Sequence, residues 1–174
     1  VLKAISGGFS ALLPVIMVGA IASLLSGLNI EAYQNFIVAI GLKPIVAYIS
    51  AYTTNMMAIY AVFSIGNSMA KQLECKDQSI LVGIISLMVF LLTIPLGVTK
   101  DEITIAAAIS TTYFGAPGLF TAMIIGCIVP LIYNIFVKNH IVIKMPDGVP
   151  PQIANGFSAI IPAAVSYTHL RAHE

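Results

Sequence analysis

His169 and His173 stand four residues apart. On a helix that spacing puts two imidazoles on one face, where they could begin a zinc site. Two histidines without further ligands are a weak metal signal. They also lie in SYTHLRAHE, Ser166 to Glu174, which holds two of the three histidines and the only arginine. Residues 166–174 are read as a non-native tail, and no metal site is assigned. The third histidine, His140, sits beside Lys138 and reads as a solvated loop residue. Cys75 lies in a charged loop, and nothing near it in sequence would lower its pKa to make a reactive thiolate. Cys127, inside an apolar run, reads as a small buried side chain. Paired carboxylates, a phosphate-cradling glycine loop and a Ser/His/Asp set are all absent from the sequence. It therefore names no catalytic residue and no cofactor.

The elements that would carry these residues are dictated by composition. Of 174 residues, 59% are hydrophobic and 9% charged. A soluble domain carries about 25% charged residues, so most of this outer surface must face lipid. The net charge of +1 gives no support to nucleic-acid binding. The chain starts Val-Leu-Lys, with no initiator methionine and no signal-peptide pattern, and reads as a piece of a longer protein.

Five stretches carry no charge: Ala4–Ile30, Pro44–Ala70, Gln78–Thr99, Ile103–Val137 and Val149–Leu170. A hydrocarbon core about 30 Å thick takes roughly 20 apolar residues in a helix. The first three stretches fit one span each. The fourth is too long for one, and GAPG, Gly115 to Gly118, breaks it. A span is expected at about Gly118–Val137, with Thr99–Pro117 left as an external loop or as an interfacial or re-entrant piece lining a polar path. The expected fold is an all-α polytopic membrane protein of four helices plus the start of a fifth. With the N-terminus inside, Lys3, Lys71, Lys76, Lys138 and Lys144 are cytoplasmic, while Lys43 and Lys100 are outside. That split follows the positive-inside tendency. Glu31–Lys43 reads as a short amphipathic helix at the outer interface, or as a plain loop.

No charged residue lies within the spans, so nothing indicates proton or sodium coupling. Asn55, Asn67 and Asn134 are read as hydrogen-bond partners between helices. Gly19, Ser23 and Gly27 recur every four residues and form a small-residue face for close packing, within the subunit or across a dimer. Pro14 should kink or loosen the first helix. An internal echo links ISGGFSALLP from Ile5 with IANGFSAIIP from Ile153, as in transporters built from repeated halves.

Between the last two spans lies KMPDGVPP: Lys144, Met145, Pro146, Asp147, Gly148, Val149, Pro150 and Pro151. The preceding Ile-Val-Ile-Lys alternates as a strand would. Pro-Asp-Gly is a turn signal: proline presets φ, aspartate caps the turn and glycine accepts positive φ. A short cytoplasmic β-hairpin or turn is expected there, acting as a hinge or as a surface for a soluble partner.

The stretch IKMPDGVPPQIANGFSAIIPA, Ile143 to Ala163, closely resembles a signature of the lactose/cellobiose branch of bacterial phosphotransferase-system permeases, the membrane-embedded IIC subunits. Lys144 to Pro151, Ala154, Phe157, Ala159 and Pro162 fit it. Asp147 replaces the commoner glutamate, and Gly156 a frequent serine. GAPGLF, Gly115 to Phe120, and the Lys138 end of the fourth span are similar too. The resemblance covers Val1 to about Val165 and makes residues 1–165 the N-terminal part of a IIC domain. It implies a homodimer in a bacterial cell membrane, with the sugar held by a histidine and a glutamate in hairpins beyond this sequence. It also implies a cytoplasmic IIB partner, charged through IIA, that phosphorylates a cellobiose- or lactose-type sugar during passage. Half of an ion-coupled secondary transporter and a non-transporting membrane scaffold are the competing readings.

Overall fold

The computed structural model describes residues 1–100, 103–141, 143 and 150–171. Four helical segments among these are long and apolar enough to cross a membrane: Leu2–Gly27, Leu42–Ala70, Lys76–Thr93 and Ala116–Lys138. The first is the single helix α1, Leu2–Gly27, which runs through Pro14. A short helix α2, Glu31–Ala39, follows, as the amphipathic reading of that segment expects. Gly41 then turns the chain with φ of 68°, a conformation that suits a residue without Cβ.

The second span is broken. Helix α3 covers Leu42–Thr53, a 3-10 turn covers Thr54–Met56, and α4 covers Met57–Ala70. The polar run Thr53-Thr54-Asn55 occupies the break. The Thr53 hydroxyl bonds back to the Ile49 carbonyl at 2.6 Å, competing with the helical pattern. The charge pattern alone treated Pro44–Ala70 as one uninterrupted span.

Helix α5, Ser79–Thr93, ends earlier than the uncharged stretch does. Pro95 disfavours helical backbone at Ile94, which is extended (φ −81°, ψ 126°). The chain then forms an antiparallel pair, β1 (Leu96–Lys100) and β2 (Ile103–Ile109). Lys100 pairs with Ile103 and Val98 with Ile105, and a register shift lies between Leu96 and Val98, where Gly97 has φ of 105°. This corrects the expectation of a loop or re-entrant piece over Thr99–Pro117. Strand pairing satisfies backbone groups that a loop would leave open. A 3-10 turn at Thr111–Phe114 leads to Gly115, and α6 runs from Ala116 to Lys138 with Pro117 in its first turn.

The expected hairpin or turn over Lys144–Val149 lies outside the described residues. Beyond it come α7, Pro151–Ser158, and α8, Ile160–Arg171. They replace the single start of a fifth span. Pro162 has no N–H to offer the Ser158 carbonyl and its ring crowds that group, so the helix resets at Ala159. Helix α8 continues past Ser166, whose hydroxyl donates to the Pro162 carbonyl at 2.7 Å.

Packing centres on α4, which touches α1, α5 and α6. In lipid the attraction between helices comes from close fit rather than from expelling water. Glycines supply that fit. A Cβ on Gly8 of α1 would lie 2.7 Å from Ile65 Cγ1, and one on Gly126 of α6 would lie 3.1 Å from Ile65 Cβ. Gly66 likewise lets Ser86 of α5 approach, at 2.6 Å from its missing Cβ. Tyr133, Phe90, Val62 and Val89 fill the core between α4, α5 and α6.

The internal echo does not give equal structures. Ile5–Pro14 lies inside α1, whereas Ile153–Pro162 spans the reset between α7 and α8. Gly8 is pressed on Ile65, but nothing lies within 4 Å of a Cβ at Gly156.

Candidate functional site

The α4–α5 turn, the end of α6 and the start of α7 meet at one end of the bundle. The Tyr133 hydroxyl on α6 donates to Gln78 Oε1 at 2.6 Å. Gln78 Nε2, in the 3-10 turn before α5, donates to Asn155 Oδ1 of α7 at 2.9 Å. One glutamine side chain thus joins three elements. Alongside it, Asn134 Oδ1 accepts the Glu74 backbone N–H at 3.1 Å, and Lys138 Nζ lies 3.0 Å from Glu74 Oε1. The ion pair is half-exposed, so it contributes less than about 1 kcal/mol. The neutral Tyr133–Gln78 bond is part-buried, with the tyrosine in the core, so losing Gln78 strands the phenol.

The same end anchors the chain on both sides of the KMPDGVPP segment. Upstream, α6 closes with the Ile141 N–H on the Phe136 carbonyl (2.9 Å) and the His140 N–H on the Val137 carbonyl (3.1 Å). This is a Schellman closure, and His140 takes the left-handed position usually held by glycine, with φ of 54°. His140 therefore terminates a helix, a role its sequence surroundings did not signal. Downstream, the Ser158 hydroxyl lies 2.8 Å from the Ala154 carbonyl and 3.2 Å from that of Ile143. Pro150 caps α7 with extended backbone, and Pro151 opens the helix. Lys144, Met145, Pro146, Asp147, Gly148 and Val149 lie outside the described residues. The structure places the two ends of their segment beside the Gln78 junction.

Cys75 closes this junction from the side. It is buried, and its Sγ lies 3.7 Å from the Ala70 carbonyl. Burial pushes its thiol pKa up, opposed by its backbone hydrogen bond and aided by the charge of Glu74. An inert thiol results. Among the described residues no group of three His, Cys, Asp or Glu could hold a metal ion. The side chain of His169 and all of His173 lie outside the described residues.

The small-residue face of α1 meets α3 and the span break. A Cβ on Gly19 would overlap the Thr53 and Thr54 hydroxyls. Ser23 Oγ lies 2.7 Å from Ser50 Oγ. Gly27 has nothing within 4 Å of its missing Cβ. The three asparagines divide. Asn134 bridges as described, Asn67 Oδ1 is buried with no hydrogen-bond partner among the described residues, and Asn55 is exposed at the break.

Comparison with known proteins supplies the family. The family model "Phosphotransferase system, EIIC" matches residues 6–170. The lichenan permease IIC component of Bacillus subtilis (strain 168) is 33% identical over 171 residues, covering 92% of this chain and 37% of the relative. The cellobiose-specific EIIC component of Geobacillus stearothermophilus is 32% identical, covering 94% and 38%. The crystal structure of the transporter ChbC, the IIC component of the N,N'-diacetylchitobiose-specific phosphotransferase system, superposes with a TM-score of 0.86. It is 32% identical over 96% of this chain and 40% of that one. The chain thus spans about two fifths of the length of these relatives. With four apolar helices in the same arrangement as ChbC, and a family match over nearly its whole length, the chain belongs to the EIIC permeases of the phosphotransferase system, in their lactose/cellobiose branch.

Proposed function

We propose that this chain is the N-terminal part of a permease that carries a cellobiose- or lactose-type sugar across a bacterial cell membrane while a cytoplasmic IIB partner phosphorylates it. The observation that carries this reading is the superposition on ChbC over 96% of the chain. Relatives named for lichenan and cellobiose narrow the cargo to that class of sugar. Residues 1–165 form the bundle side of the subunit, which pairs as a homodimer, and residues 166–174 are the non-native tail.

The N-terminus lies on the cytoplasmic side. Three features support this orientation. Gly7 of α1 sits against Ser68 near the end of α4. Lys138 pairs with Glu74. Lys3, Lys71, Lys76 and Lys138 then share the bundle end that holds the Gln78 junction. A protein partner would meet KMPDGVPP on this face. Phosphorylation adds charge, so the product cannot return through hydrocarbon. That coupling fits spans whose charged residues, Lys3, Lys43, Lys76, Asp77 and Lys138, all lie at their ends.

The test is phosphorylation by membranes from a cellobiose-permease-deficient bacterium that expresses the gene containing this chain. With the soluble phosphotransferase components and phosphoenolpyruvate added, cellobiose should appear inside as its phosphate. Accumulation of unmodified cellobiose driven by an ion gradient would overturn the proposal in favour of a secondary transporter.

A further inference from the structure

We propose that the cleft at the break in the second span binds a neutral saccharide unit, a sugar contact separate from the one the family resemblance places beyond this chain. The proposal rests on the permease reading and adds a site to it.

The cleft has a volume of about 580 Å³, and Tyr48, Tyr52, Asn55, Thr111, Thr112 and Gly115 line it. That size lies within the range of small-ligand sites, about 300–1,000 Å³. Its position is informative. Helix α3 stops at Thr53, and a 3-10 turn intervenes before α4 begins at Met57. Interrupted spans at membrane depth are tolerated where they line a cavity, and in transporters such breaks mark substrate contacts. The floor is closed by direct backbone packing: a Cβ on Gly115 would meet the Asn55 carbonyl at 3.2 Å.

The lining has the chemistry of a carbohydrate contact. Tyr48 and Tyr52 are one helical turn apart on α3 and stay 64% and 59% exposed. A pyranose ring has a C–H face that packs on such rings and a rim of hydroxyls that needs donors and acceptors. The Asn55 amide offers both, as do the Thr111 and Thr112 hydroxyls. Among the described residues no carboxylate, amine or guanidinium lines the cleft, a lining that suits a neutral sugar better than a sugar phosphate. The rim is also held in place, because the Tyr60 hydroxyl donates to the Tyr52 carbonyl at 2.8 Å across the break. A second hollow, about 780 Å³ between the end of α5 and Ile109, has Thr93 as the only polar side chain among the described residues that line it. Its lining suits apolar contacts and gives a sugar little to bond.

The experiment uses the chain in lipid nanodiscs with cellobiose as the probe and saturation-transfer NMR as the readout. Cellobiose should receive saturation from the protein, and glucose 6-phosphate should not displace it. The Tyr52→Ala/Asn55→Ala double variant should weaken binding about tenfold or more, the size expected from losing one ring contact and one amide. Val18→Ala, on the outward face of α1, should leave it unchanged. Absence of transfer to cellobiose, or unchanged binding in the folded double variant, overturns the proposal. If the double variant does not fold, a photoactivatable cellobiose analogue on the unaltered chain decides. Label recovered on residues 48–56 or 111–117 supports the cleft, and label recovered elsewhere alone overturns it. Failure here is distinct from failure of the permease reading. A permease that phosphorylates cellobiose with unchanged KM in the double variant keeps its function and loses this site.

Discussion

Gln78 Nε2 donates to Asn155 Oδ1 across 2.9 Å, while the other end of the same amide accepts from Tyr133. The two bonds make α7 dependent on a residue 77 positions earlier in the chain. In this arrangement the glutamine amide uses both its ends, its oxygen facing a phenol and its nitrogen an amide oxygen.

Gln78→Ala should therefore loosen α7 first. The variant strands the Tyr133 hydroxyl in the core and frees Asn155, at a cost of about 1–3 kcal/mol. Hydrogen exchange should show faster exchange over residues 151–158 and little change in α4. Tyr133→Phe in the same background should recover part of the lost stability, because the stranded hydroxyl is gone. Equal protection of α7 with and without Gln78 would contradict this account.

Ile65 is gripped from two sides by residues without side chains, Gly8 and Gly126. Gly126→Val should destabilise the fold by about 1–3 kcal/mol through overpacking. Ile65→Ala, itself a cavity-forming change, should be much less harmful in the Gly126→Val background than alone. Thermal unfolding in detergent of the two single variants and the double variant measures this coupling. Additive losses would show that the two sites do not meet.

Much of this was legible in the sequence. The charge-free runs located the four apolar segments, and GAPG marked the start of α6 to within two residues. The span break and the β1–β2 pair were missed for a shared reason: charge counting cannot see where backbone pairing changes inside an uncharged run. Pro95, Gly97 and the polar Thr53-Thr54-Asn55 run were the signals available. The KMPDGVPP signature identified the family, yet the junction beside it was not legible. Gln78, Tyr133 and Asn155 become neighbours only once three elements pack together.

Cys75 should react slowly with a membrane-permeant maleimide at neutral pH, because burial favours its protonated form. The sign for stability follows. The unfolded chain ionises this thiol near its ordinary value of 9.0, and the folded chain only at higher pH. The contribution is whole below pH 9 and declines as pH rises through the folded value. Cys75→Ser should flatten the alkaline limb of a stability-versus-pH curve. An unchanged limb would rule out Cys75 as its cause.

His140 holds the left-handed closing position of α6 with φ of 54°. Relieving the Cβ there should make His140→Gly more stable by about 1 kcal/mol, whereas His140→Val should be less stable. Paired melting curves test the order. If the glycine variant were the weaker, the imidazole would have to make a contact that outweighs its backbone strain.

Helix α5 has 15 residues and α6 has 23, so their axes measure about 22 Å and about 34 Å. No bilayer of uniform thickness matches both. The consequence is hydrophobic mismatch built into one bundle: the leaflet should thin beside α5, where the exposed Leu96 and Ile105 of the strand pair take over from the helix. Lipid length then becomes a variable of the protein's own stability. Melting temperatures across a series of short-, medium- and long-chain phosphatidylcholines should peak at the shorter end, and a flat series would mean that the bilayer pays no heed to α5.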